Sequence, residues 1–94
     1  MKITDITLVM TCCACPEQYD AVDKDKRVIG YLRLRNGYFS VRCPGPSGTV
    51  VFESRVDGDG LFDPDEREQY LRLAKTAITR YYNMGSRMFD IGEV

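Results

Sequence analysis

The chain has 94 residues, enough for one small domain and too few for a second core. With 44% hydrophobic and 29% charged residues its composition is that of a globular protein, which excludes wholesale disorder; a net charge of -1 gives it no global attraction to nucleic acid. It contains no histidine, which removes the commonest general base and the usual catalytic dyads and argues against an enzyme.

No stretch is apolar for long enough to span a bilayer, and residues 6–10 lack the flanks of a signal peptide. The chain is therefore expected to begin at Met1 and to work in the cytoplasm, where its four cysteines stay reduced.

In chain order, residues 3–10 (I-T-D-I-T-L-V-M) are rich in β-branched side chains and predict a strand. Residues 11–18, with C-C-A-C-P, predict a loop; residues 19–22 a short strand; residues 23–26 a charged turn. Residues 28–43 (V-I-G-Y-L-R-L-R-N-G-Y-F-S-V-R-C) predict the central hairpin, because Asn36-Gly37 supplies the two positive φ angles of a type I′ turn. That tip pairs Arg35 with Tyr38, Leu34 with Phe39, Arg33 with Ser40, Leu32 with Val41 and Tyr31 with Arg42. Period-2 alternation then puts Leu32, Leu34, Phe39, Val41 and Cys43 on a core face. Tyr31, Arg33, Arg35, Tyr38, Ser40 and Arg42 form the opposite face.

P-G-P-S-G after Cys43 cannot hold a ladder and predicts a loop. Residues 49–54 predict another strand, with Val51 on one face and Val50 and Phe52 on the other. Asp63, Pro64 and Glu66 read as N-cap, first helical residue and capping-box glutamate. Tyr70, Leu71, Ala74, Ala77, Ile78 and Tyr81 recur at three- and four-residue spacing, one apolar stripe of a helix ending at residues 83–85. Arg67, Arg72, Lys75 and Arg80 are expected on its flanks. The sum is an α+β domain: an antiparallel sheet of four to five strands with one C-terminal helix packed on one face. Its ordered core spans about residues 3–82, with residues 83–94 as a tail.

Three sets of residues carry chemistry. Cys12 and Cys15 have the C-x-x-C spacing of a zinc knuckle, and Cys43 ends the hairpin before a Pro-Gly turn that can bend around an ion. Cys13 would complete four thiolates, although neighbours on an extended segment point apart; Asp, Glu or water are the alternatives. Buried thiols, or a redox dithiol at Cys12 and Cys15, are the competing readings. The acidic segment D-G-D-G-L-F-D-P-D-E resembles an EF-hand loop, with Asp57, Asp59, Asp63 and Glu66 as calcium ligands. Arg55 occupies the position of the first carboxylate and no helix enters, so a turn followed by a capping box explains the same residues. The third set is Tyr31, Arg33, Arg35, Tyr38 and Arg42, residue types that anchor protein interfaces and that also stack on and neutralise single-stranded nucleic acid. The acidic overall balance favours a protein partner; a merely solvated sheet face is the remaining reading.

T-C-C-A-C-P-E-Q-Y-D at 11–20, G-Y-L-R-L-R-N-G-Y-F-S-V at 30–41 and D-G-D-G-L-F-D-P-D-E-R at 57–67 resemble a family of short phage and prophage proteins. The chain is also similar to zinc-containing anti-CRISPR proteins of streptococcal phages. That resemblance implies an inhibitor that binds the host's type II RNA-guided effector nuclease and keeps target DNA out. It also implies Cys12, Cys15 and Cys43 as structural zinc ligands.

Overall fold

The computed structural model of the chain describes residues 2–12, 17–56, 62 and 64–84. Five strands form an antiparallel meander: β1 (Thr7–Cys12), β2 (Glu17–Val22), β3 (Val28–Arg35), β4 (Tyr38–Cys43) and β5 (Thr49–Arg55). One helix, α1 (Pro64–Met84), covers one face. The fold is the α+β sheet-and-helix expected from the periodicities.

The central hairpin pairs in the predicted register, from Arg35 opposite Tyr38 to Tyr31 opposite Arg42. Asn36 and Gly37 both have positive φ, 53° and 75°, so the turn twists with the strands. Leu32, Leu34, Phe39, Val41 and Cys43 are all buried. From β2, Tyr19 and Ala21 join them.

The helix adds Ala74 and Ile78, both fully buried, with Tyr70, Leu71, Tyr81 and Tyr82 packed at the margins. Ile78 lies where β3 has no side chain: a Cβ on Gly30 would stand 3.0 Å from the Ile78 Cδ1. The Tyr82 hydroxyl donates to the Ile29 carbonyl at 2.6 Å, tying the last turns of α1 to the start of β3. At the other end of the sheet Phe39 meets Phe62 edge-on at 5.0 Å, and Phe62 stacks on Tyr70 at 5.3 Å.

Three features differ from the expectation. Residues 3–10 are not one strand: Ile3–Asp5 is a short 3-10 helix and β1 begins at Thr7. The Asp5 carboxylate accepts the Lys2 N–H at 2.9 Å, and that local bond winds the segment despite its β-branched residues. The second difference is in β5. Phe52 stands opposite Val41 but Val50 opposite Arg42, so Val51 is the extra residue of a β-bulge. Val50 and Phe52 therefore take opposite faces, where strict alternation put them on the same one. The predicted loop also shrinks, since β1 runs through Cys12 and β2 starts at Glu17.

Candidate binding face

No described element covers the other face of the sheet, and across β3, β4 and β5 the ladder arranges its side chains in three rows. Tyr31, Arg42 and Val50 form one row, Arg33, Ser40 and Glu53 the next, and Arg35, Tyr38 and Arg55 the third. With Asn36 and Pro46, seven of these residues line a shallow groove of about 620 Å³. The bulge at Val51 shifts the parity of β5, and this brings Glu53 and Arg55 onto the face. Four arginines and two tyrosines thus share one surface of a chain whose net charge is -1.

Several of these groups are held in place. The Tyr31 hydroxyl donates to Gln18 Oε1 at 2.9 Å, and the Tyr38 hydroxyl donates to Glu53 Oε1 at 2.7 Å. That bond to a carboxylate raises the Tyr38 pKa above its ordinary value. Arg42 Nη1 donates to the Gly48 carbonyl at 3.1 Å. Arg33, in the middle row, has a buried Nε without a hydrogen-bond partner among the described residues. Sequence periodicity placed Tyr31, Arg33, Arg35, Tyr38 and Arg42 together, and the structure brings them together. Arg55 was missed because a bulge leaves no mark in the alternation.

The cysteines separate. Cys12 aligns across the ladder with Gln18, Arg33 and Ser40, whereas Cys43 lies three residues further along β4. Three strand spacings and three residues of rise put their backbones about 17 Å apart. Thiolates on one zinc lie about 2.3 Å from it, so Cys12 and Cys43 do not share an ion. The expected set of Cys12, Cys15 and Cys43 is corrected to that extent. Cys43 is instead a core side chain, its thiol pushed up to about 12 by burial. Cys13 and Cys15 lie outside the described residues, as do Asp57, Asp59 and Asp63 of the calcium-like segment. Glu66 is half-buried in the first turn of α1. Among the described residues no three of the metal-ligating types are grouped to hold an ion.

One polar cluster escaped the sequence reading. Glu17 is fully buried, and its Oε1 accepts the Phe62 N–H and Arg67 Nη2, both at 3.2 Å. Its Oε2 accepts Arg67 Nε at 2.9 Å and also the Tyr19 hydroxyl. Burial works to raise the Glu17 pKa, but the bonds from Arg67, Tyr19 and Phe62 outweigh it and hold the carboxyl below its ordinary value. Burial and the bond to Glu17 push the Tyr19 hydroxyl well up. Two signals were present: Glu17 has the parity of Tyr19 and Ala21, and Arg67 sits three and four residues before Tyr70 and Leu71 on the buried stripe. The cluster joins the start of β2 to the start of α1 and is a fastening of the fold.

Compared with known proteins, the chain matches no protein-family model, no curated protein and no solved structure.

Proposed function

We propose that this is a non-enzymatic binding protein that acts through the outer face of its sheet, with Tyr31, Arg33, Arg35, Tyr38 and Arg42 as contact residues and Arg55 added at the rim. The observation that carries the reading is the concentration of four arginines with two tyrosines on a face that no described element covers, in an otherwise acidic chain. Guanidinium and phenol groups are the side chains that most often anchor interfaces, and a cationic face selects a partner surface rich in carboxylates.

The resemblance to phage anti-CRISPR proteins makes the type II RNA-guided nuclease of a bacterial host the first partner to test, with inhibition by contact as the mode of action. The experiment is a binding assay between the purified nuclease and the Arg33→Glu, Arg35→Glu double variant. A loss of affinity of about tenfold or more is expected from reversing two interface charges. Binding equal to that of the unaltered chain would reject this face as the contact surface. The acidic segment 57–65, which could imitate DNA, would then be the rival.

A second reading has one observation in its favour: Tyr31 and Tyr38 alternate with arginines along and across the strands, an arrangement that stacks bases while neutralising phosphates. It predicts retention on single-stranded DNA that weakens steeply with salt. No retention at low salt would remove it. A thiol redox role at Cys12 and Cys15 has no comparable geometric support. In the zinc reading those two residues and Cys13, without Cys43, supply the thiolates of a structural site.

A further inference from the structure

The two edges of the sheet are not alike. Both edge strands carry a bulge, β1 at Thr11 and β5 at Val51, but β5 also carries Glu53 and Arg55, charges that discourage a further strand. β1, T-L-V-M-T-C, has no charge and no proline, and its far side is paired with no strand among the described residues. The core face is also incomplete there. Met10 shares a face with its cross-strand neighbour Tyr19, yet Met10 is 43% exposed where Tyr19 is 5%. On the other face Val9 is 47% exposed. Beside β1, a groove of about 660 Å³ opens between Ile3, Leu8 and Leu71, with Arg67, Glu68, Arg72 and Lys75 of α1 along its other wall.

We propose that β1 pairs with β1 of a second copy of this chain, antiparallel and about a two-fold axis at Val9. A second copy suits this edge because an uncharged strand meets no like charge in any register when paired with itself, whereas β5 paired about Glu53 or Arg55 would set like charges against each other. The register follows from parity. A two-fold axis normal to the sheet keeps each face on its own side, so only residues of equal parity can oppose one another. Centring on Val9 sets Val9 against Val9 on the outer face and Leu8 against Met10 on the core face. Each Met10 then lies beside the Leu8 that lines the groove, and the side chains left bare in the single chain become buried. The joined sheet has ten strands, with both arginine faces turned to the same side.

The test is the mass of the full chain in solution, by light scattering and sedimentation from low micromolar to submillimolar concentration. The unaltered chain is expected at twice the chain mass, and Val9→Lys, with its circular dichroism unchanged, at the single mass. Opposing two lysines at the axis should weaken association about tenfold or more. Hydrogen exchange of the unaltered chain gives an answer even where the variant fails to fold: β1 amides should be protected, and that protection should fall on dilution. A monomer at every concentration overturns the proposal. So does a dimer that Val9→Lys leaves intact, or open-ended oligomers in place of a closed pair.

Discussion

Glu17 is a carboxylate without contact with water, and what surrounds it determines whether it stabilises the fold or strains it. Arg67 reaches it with a two-pronged hydrogen bond, while Tyr19 and Phe62 fill the other lone pairs. Removing either partner therefore has unequal consequences. Glu17→Gln keeps the shape and should cost about 2 kcal/mol in urea unfolding, because Arg67 is partly exposed and can turn to water. Arg67→Met should cost more, about 3 kcal/mol, because it strands a buried charge. The pH dependence has a definite sign. The unfolded carboxyl titrates near its usual value of about 4.3, and the folded one titrates lower. The contribution of Glu17 is thus complete above that value and is lost as pH falls through it toward the folded pKa. Glu17→Gln should abolish that part of the acid limb, and an unchanged limb would show that other carboxylates produce it. The sequence announced this pair only through strand parity and helix spacing, since nothing local marks which charge goes inside.

The strands and the helix were the most legible elements, because each follows from a local rule. Asn-Gly can make the tight turn, alternation assigns the faces, and the three-four spacing of Tyr70, Leu71, Ala74 and Ile78 marks the helix side that meets the sheet. Ile78→Ala should therefore lower stability by about 3 kcal/mol, read as a lower midpoint in thermal or urea unfolding, since it opens a cavity over Gly30. Gly48→Ala tests a different constraint. A Cβ there would fall 2.1 Å from the Cys43 carbonyl oxygen, closer than atoms approach, so the loop between β4 and β5 must shift. The expected result is destabilisation together with a displaced Arg42, whose guanidinium donates to the Gly48 carbonyl, visible as changed amide resonances on the outer face. Spectra unchanged beyond residues 44–49 would contradict that coupling. The bulge in β5 was not legible, because an extra residue is accommodated by cross-strand pairing and not by any preference of Val51 itself.

At the scale of the molecule, a small sheet with one helix buries a modest core, and a metal held near Cys12, Cys13 and Cys15 would add a second fastening at the β1–β2 connection. Elemental analysis should find one zinc per chain, and a chelator should lower the unfolding midpoint. A chain free of zinc, with a midpoint indifferent to chelator, would leave those thiols without a metal role. No helix among the described residues is long and apolar enough to cross a membrane. Arg33 and Arg35 lie on β3, two strands away from the β1 edge, so charge reversal there should leave the solution mass unchanged. By itself the sequence determined the order of elements, the hairpin register and the face that carries tyrosine and arginine, because turn geometry and period-2 alternation act over a few residues. Only the tertiary structure decided that Cys43 stands far from Cys12, that Glu53 and Arg55 join the outer face, and that Glu17 meets Arg67. Those three outcomes depend on how strands register across the whole sheet and on where the helix comes to rest, and such distances are set by packing between segments remote in the chain.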